Sequence, residues 1–363
     1  MNDLPVTVKR SLELLGLVLL GVLIVLGKGV LAPLLMAFFL CILLLPIFRF
    51  FRRLKFPEIL SIAICIITVI LVIGSIVWFL SVQISNLAAD FPQIKTNVTA
   101  HLHTLSEWVN RKTDLSTEKQ VGLINEQNNK LFDYAGGLLS GAATSITSVL
   151  IFFGLLPIYI FLILFYRNLL VRFVFQWFPQ DTHSKVEEVM RETQSIIKSY
   201  LVGLFIQITY ITVFLGGILM IIGIKHALLI GVIFAILNLI PYVGALVGNI
   251  IGVLLTLTSS QEMWPIFAVL GTIAVVQFID NNILMPRIVG SKVKINALAT
   301  IVGVIVAGSL AGIPGMFLSL PVIAVLKIIF DRTENMKKWG VLFGDERPKH
   351  SPVAFPALRI KKR

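Results

Sequence analysis

Long runs of uncharged, hydrophobic residues alternate with polar segments along this chain. A helix needs about 20 apolar residues to span a bilayer. Two apolar runs come first, with a turn predicted between them at Lys28 and Gly29, and the five longer runs that follow contain no charged residue or histidine. The pattern predicts an all-α, polytopic transmembrane protein with about six to eight membrane segments. The two early runs are residues 11–27 and 30–48, and the five longer ones are 59–89, 134–166, 199–224, 227–261 and 295–326.

The same pattern divides the chain into six parts. The apolar residues of the fourth part, among them Val186, Val189 and Ile196, recur with helical spacing and predict an amphipathic helix along the cytoplasmic face. The second part is predicted to be helical because Leu102, Leu105, Trp108 and Val109 have helix-like spacing. The six parts are 1–82 with the first three transmembrane segments, 83–143 as an extracytoplasmic helical insert, 144–180 with the fourth segment, 181–200 as the amphipathic helix, 201–330 as a transport core with broken helices, and 331–363 as a basic cytoplasmic tail.

The last two apolar runs are too long for ordinary spans, and both contain helix breakers. Pro241 interrupts the first, and the sequence Gly312-Ile-Pro314-Gly315 interrupts the second. If each were one tilted span, the basic stretch at 287–294 would lie outside the cell, against the positive-inside rule. If each is a re-entrant hairpin of two half-helices, every basic stretch becomes cytoplasmic, and we favour this arrangement.

The two broken runs also resemble each other. One begins with His226-Ala-Leu and reaches Ile240-Pro241, and the other begins with Asn296-Ala-Leu and reaches Ile313-Pro314. Inverted repeats with broken helices that meet near the membrane midplane are a recurrent architecture of secondary transporters. Kinks with no substrate between them are the alternative.

Asp280 is the residue with the most evident chemistry. An ionisable group inside a membrane segment is costly and often functional, and the nearby acid Glu262 lies in a predicted loop. Beside the amides of Asn281 and Asn282, the carboxylate can bind a cation or gain and lose a proton during transport. The alternative is a structural role, in which Asp280 pairs with Arg287 or caps a helix.

Other polar residues of the core are candidates for binding a solute. Each can equally bond a neighbouring helix, which is the commoner role of such residues in membranes. Gly244 begins a row of glycines spaced by four that favours close helix packing. The predicted binding or coupling residues are Asp280, Asn281, Asn282, Gln277, Asn238, Pro241, Tyr242, Gly244 and Gln207.

Composition and charge agree with a membrane protein and narrow its function. Hydrophobic residues make up 57% of the chain and charged residues 14%, against about 25% charged in soluble domains. The net charge of +12 follows from basic residues beside the apolar runs, so it indicates cytoplasmic loops and not nucleic-acid binding. No nucleotide-binding loop, metalloprotease motif or serine-hydrolase motif occurs. We therefore predict no enzymatic activity, no cofactor and no metal site.

Three motifs in the last third resemble those of a known family. They are Asn238-Leu-Ile-Pro-Tyr-Val-Gly244, the block from Phe278 to Gly290 that contains Pro286, and Gly312-Ile-Pro-Gly-Met-Phe-Leu-Ser-Leu-Pro321. Their sequence is similar to blocks of the autoinducer-2 exporter family, and the order of segments fits along nearly the whole chain. Many members of that family have another residue where this chain has Pro314, and the proline is expected to stiffen the predicted hairpin tip. Residues expected to shape or gate the hairpins are Gly290, Pro286, Gly312, Pro314, Gly315 and Pro321.

The resemblance implies a multi-span permease of the bacterial inner membrane that forms homo-oligomers. Family members are linked to export of autoinducer-2, and some to sodium/proton antiport. Our hypothesis is a secondary transporter that exports a small polar solute, with both termini cytoplasmic and a proton or sodium gradient as its energy source. A sodium/proton antiporter is one alternative, and a membrane scaffold or accessory subunit without a transport cycle is another.

Overall fold

The computed structural model of the protein consists of α-helices joined by short turns, with no β-strand in the residues that it describes. The predicted all-α fold class is therefore confirmed. Among the described residues, five helices are long and apolar enough to cross a bilayer, or six if one pair bent by 66° is counted as a span. The described residues are 5–90, 93, 96–97, 99–100, 146–240, 243–260, 262–284 and 295–345.

The helices of these residues are numbered here in chain order, and two π-helical turns interrupt them. One π turn is Thr212–Gly216 and the other is Asp280–Leu284. The helices are α1 Val6–Arg53, α2 Glu58–Ala89, α3 Ile146–Phe165, α4 Arg167–Gln176, α5 His183–Ile211, α6 Gly217–Ile222, α7 Ala227–Leu237, α8 Val243–Ser259, α9 Trp264–Ile279, α10 Ala297–Arg332 and α11 Lys337–Phe343.

The first helix differs from its prediction. α1 runs without interruption through Lys28 and Gly29, so the predicted turn between two short spans is wrong. A glycine inside a helix costs only about 1 kcal/mol relative to alanine, and the leucines around it favour helix. At about 1.5 Å per residue, α1 is roughly 72 Å long, which exceeds the hydrocarbon thickness of about 30 Å. The prediction of a cytoplasmic N-terminus relied on that turn and loses its basis.

The second half of α1 packs with α2 and α3 into one apolar cluster, which we call the N-terminal bundle. Side chains with almost no exposure from all three helices meet there. These helices lie at the positions of the predicted second, third and fourth membrane segments. The buried residues are Ala37, Cys41, Leu44, Phe48, Ile62, Cys65, Val69, Leu156, Ile160 and Leu164.

The predicted amphipathic helix at 181–200 is not a separate element. α5 begins at His183 and continues as one helix through the predicted fifth segment, and the first π turn leads directly into α6. The apolar stripe was identified correctly, because Ile196, Ile197 and Tyr200 are buried against α1 and α10. A change from polar to apolar composition marks where such a helix enters the membrane, but it does not break the helix.

The run interrupted at Pro241 folds into a helix hairpin, which we call hairpin 1. Its arms are α7 and α8, and they lie against each other along the row of glycines. A Cβ on Gly248 would lie 2.6 Å from Phe234 Cδ2, and one on Gly252 would lie 3.6 Å from Ile230 Cγ2. The glycines spaced by four therefore serve close packing.

The run interrupted at Gly312 is a second hairpin, although its two arms form one continuous stretch, α10. Gly312 has a φ of 66° and a ψ of −148°, a conformation that favours glycine, and the chain reverses there. A Cβ on Gly303 would overlap Ile323, and one on Gly308 would lie 2.5 Å from Met316 Cε. In a straight helix, Gly303 and Ile323 would be about 30 Å apart. We call this element hairpin 2.

The two hairpins open at opposite ends of the core. Hairpin 1 directly follows α6, so its open end lies where the long α5–α6 helix ends. The last residue of hairpin 2, Arg332, pairs with Glu188 at 3.0 Å and with Glu192 at 2.5 Å, near the start of α5. This is the inverted arrangement that the sequence pattern predicted.

Several predictions concern residues outside the described part of the chain. α2 continues to Ala89, and of the predicted insert only a few positions up to residue 100 are described. Its helical positions Leu102, Leu105, Trp108 and Val109 therefore lie outside the described residues, as does the tail beyond residue 345.

Candidate functional site

Asp280 lies at the centre of the candidate site. It is 1% exposed and is the first residue of the second π turn, directly after α9. Such single π turns inside helices are frequent at functional sites. The first π turn follows Gln207 by one helical turn on α5, so both helices that carry the site are locally widened.

Two amides from different elements bind the carboxylate of Asp280. Gln207 of α5 donates from Nε2 to Asp280 Oδ2 at 2.7 Å, and Asn238 donates from Nδ2 to the same oxygen at 3.2 Å. Asn238 directly follows α7 as its C-cap, so the carboxylate joins the long helix to the tip of hairpin 1.

A third amide extends this network. Gln277, on α9 one turn before Asp280, donates from Nε2 to Asn238 Oδ1 at 3.1 Å. Asn238 is thereby held in one orientation, with its oxygen towards Gln277 and its nitrogen towards the carboxylate. Three predicted site residues, Gln207, Asn238 and Gln277, thus contact Asp280 directly or through one neighbour.

Two oxygens of this network are buried without a donor. Among the described residues, none donates to Asp280 Oδ1 or to Gln207 Oε1. A buried acceptor that lacks a donor costs about 1–3 kcal/mol, so native structures seldom leave one without a reason. Both atoms are therefore available to a proton, a cation or a hydrogen-bond donor of a solute.

A cavity of about 450 Å³ opens beside this network. Its walls come from α5, hairpin 1, the end of α9 with the second π turn, and hairpin 2. Asp280 is the one charged residue among the described residues that line it. The lining residues are Tyr200, Leu204, Gln207, Asn238, Leu239, Ala245, Gln277, Asp280, Asn281, Thr300 and Leu320.

Sequence analysis missed part of this lining. Tyr200 and Leu204 belong to the apolar stripe of α5, and Thr300 donates to the carbonyl oxygen of Asn296 within its own helix. Nothing in the sequence distinguishes these residues from ordinary packing positions. Their helical phase relative to Gln207, at intervals of three and seven residues, is the one signal that places Leu204 and Tyr200 on its face.

The two asparagines after Asp280 differ in their positions. Asn281 lines the cavity. Asn282 is exposed and donates to the carbonyl oxygen of Phe278 at 2.8 Å, so the structure does not bring it to the cavity. Arg287, the partner in the alternative structural role of Asp280, lies outside the described residues.

The tip of hairpin 1 approaches the site closely. A Cβ on Gly244 would overlap the carbonyl oxygen of Leu237 and the Cα of Asn238. Gly244 therefore lets the backbone pass directly beside the residue that binds Asp280. The neighbouring predicted residues Pro241 and Tyr242 lie outside the described residues.

The described residues predicted to gate the hairpins do not line the cavity. Gly312, Pro314 and Gly315 form the tip of hairpin 2, where Gly315 contacts Ala307. Pro321 is buried and lines a neighbouring cavity of about 140 Å³. Pro286 and Gly290 are not among the described residues.

Comparison with known proteins shows what this chain is similar to. Residues 14–335 match the model of a family described as the AI-2E family transporter. The AI-2 transport protein TqsA of Escherichia coli (strain K12) is 24% identical over 352 residues, which are 94% of this chain and 98% of that protein. YrrI and YueF of Bacillus subtilis (strain 168) are both 26% identical, over 83% and 82% of this chain and 86% and 82% of their own lengths.

Proposed function

The chain belongs to the AI-2E transporter family, and from that premise we propose that it is a secondary transporter of a small polar solute. The bacterial inner membrane is the proposed location, and export is the proposed direction. A proton or sodium gradient provides the energy. One observation carries the proposal: a buried carboxylate faces a cavity that α5, α9 and both hairpins enclose.

The arrangement of the core supports alternating access. The cavity lies between two hairpins that open at opposite ends, and inverted repeats of this kind recur in secondary transporters. Hairpin 1 contacts Asp280 through Asn238, and hairpin 2 contributes Thr300 and Leu320 to the lining of the same cavity. A change in the charge of Asp280 therefore acts directly on the tip of hairpin 1.

The chemistry of the cavity supports a polar solute without strong negative charge. Its lining offers amides, hydroxyl groups and one carboxylate, and no described lining residue is basic. An anion would have to enter beside Asp280 without a cationic partner, which is costly in a low-dielectric site. Autoinducer-2 is the first solute to test, because one relative, TqsA, is named as an AI-2 transport protein.

The proposal is tested with the purified protein in proteoliposomes. A proton or sodium gradient is imposed, and the movement of autoinducer-2 and of a panel of small polyols and sugars is followed. We expect one solute to accumulate, and the accumulation to collapse when the gradient is dissipated. Ion exchange without solute movement would instead identify a sodium/proton antiporter. The absence of both in folded protein would favour an accessory subunit.

A further inference from the structure

We infer that the coupling ion is a proton, which binds Asp280 Oδ1 and is held there by Gln207 Oε1. This inference rests on the proposed function, and it names the ion whose gradient drives the transport. The observation that carries it is the pair of buried oxygens without a donor, one on each of two side chains that are already hydrogen-bonded to each other.

One proton satisfies both oxygens. An ionised carboxylate only accepts hydrogen bonds, whereas the protonated group has one O–H donor. Gln207 Nε2 already donates to Asp280 Oδ2, so a proton on Oδ1 lets the acid donate in return to Gln207 Oε1. The result is the reciprocal pair of bonds that a carboxylic acid and a primary amide form with each other. The terminal torsions of both side chains are soft enough for this adjustment.

A sodium ion fits the same surroundings poorly. Hard cations surround themselves with about six oxygen ligands. Here Gln207 and Asn238 present their nitrogen atoms to the carboxylate, and Asn238 Oδ1 already accepts from Gln277. The described residues leave two buried side-chain oxygens at this network for a cation, which is far fewer than a dehydrated metal ion requires.

No other described group competes for the proton. Near Asp280 the titratable groups of the described residues are Tyr200, which lines the same cavity, and Tyr210, whose hydroxyl lies 3.5 Å from the carbonyl oxygen of Val276. Both are neutral at physiological pH. In the binding step, hydronium in the open cavity transfers its proton to Oδ1, a water molecule remains, and the carboxylate becomes a neutral acid.

Infrared difference spectroscopy on the purified full-length protein in lipid tests the inference without transport. We expect a carbonyl band of a protonated carboxyl that titrates with pH and is absent in Asp280→Asn. In Gln207→Met, which keeps the side-chain length but loses both amide bonds, the band should shift to higher frequency. Glu262→Gln, which removes an exposed acid in the loop before α9, is the matched control and should leave the band unchanged.

Sodium provides the opposing outcome. At constant pH, added sodium chloride should change neither the band nor its midpoint relative to choline chloride. Loss of the band on addition of sodium, or its persistence in Asp280→Asn, would overturn the inference. If the band behaves as expected but no solute moves in proteoliposomes, the proton site stands and the proposed transport function fails.

Discussion

At the scale of single residues, the buried carboxylate of Asp280 accepts hydrogen bonds from the amides of Gln207 and Asn238. Asp280 stands out because a carboxylate inside an apolar run is costly. Its partners Gln207 and Asn238 are 73 and 42 residues away along the chain, and amides at such positions usually bond neighbouring helices. Tyr200 and Thr300 give no chemical signal at all, because their types and spacing suit ordinary packing.

Asp280→Asn should raise the thermal stability of the protein at neutral and alkaline pH. The asparagine keeps an oxygen for Gln207 Nε2 and Asn238 Nδ2, gains an N–H donor for Gln207 Oε1 and removes a buried charge. Relief of an unpaired buried acceptor is worth about 1–3 kcal/mol. Asp280→Ala leaves both amide nitrogens without an acceptor and should lower stability. Thermal unfolding followed by tryptophan fluorescence compares the two, and equal destabilisation would contradict the hydrogen-bond network described here.

At the scale of elements, helix breaks were easier to predict than helix continuity. Both hairpins follow from a glycine or proline within an apolar run, together with the distribution of basic residues. Two errors, the turn at Lys28 and Gly29 and the separate helix at 181–200, have the same cause. A local change of composition was taken as the end of a helix, although no residue there prevents helical backbone.

Hairpin 1 depends on the absence of a side chain at Gly244. In Gly244→Ala the added Cβ would overlap backbone atoms of Leu237 and Asn238. Backbone atoms cannot move aside as the end of a flexible side chain can. We expect a loss of about 1–3 kcal/mol, as is typical for overpacking, and a displacement of Asn238 from Asp280. Gly271→Ala is the matched control, because a Cβ there meets nothing within 4 Å.

These two variants are compared by chemical denaturation in detergent and by the infrared band of Asp280. Gly271→Ala should be neutral or slightly stabilising, since alanine favours helix over glycine by up to about 1 kcal/mol. If Gly244→Ala were as stable as this control and left the band unchanged, the close contact at the hairpin tip would be refuted.

At the scale of the whole molecule, an ionic junction ties the N-terminal bundle to the core. Asp90, directly after α2, pairs with Lys225 at 2.8 Å and with His226 at 3.2 Å, immediately before hairpin 1. The hydrogen bond from Lys225 lowers the pKa of Asp90. Burial lowers the pKa of His226, although Asp90 opposes this effect. Sequence alone gave no sign of this junction, because its members are 135 residues apart.

The junction should weaken as the pH falls. The folded protein lowers the pKa of His226 from its ordinary value of about 6.5. As the pH falls below that value, the open form of the junction binds the proton more readily than the closed form, so opening becomes more favourable. The contribution of Asp90 is complete above its ordinary pKa of 3.8 and is lost as the pH falls through its lower folded value. Hydrogen exchange of the first turn of α7, corrected for intrinsic rates, should therefore rise in two steps.

His226→Gln should remove the step near neutral pH, and Asp90→Asn should raise exchange of that turn already at pH 7. Lys185→Gln, a change of an exposed charge at the start of α5, should alter neither step. A pH-independent exchange rate in the unmodified protein would show that the junction does not hold hairpin 1.

The central claim is that Asp280 couples ion movement to solute movement. The most direct test compares unmodified protein, Asp280→Asn and Glu262→Gln in proteoliposomes by two assays: solute accumulation under a proton gradient, and solute exchange without a gradient. We predict gradient-driven accumulation in the unmodified protein and in Glu262→Gln. In Asp280→Asn, which stays folded and inserted, accumulation should be at least tenfold lower than in the unmodified protein. Full gradient-driven accumulation by Asp280→Asn would contradict the account.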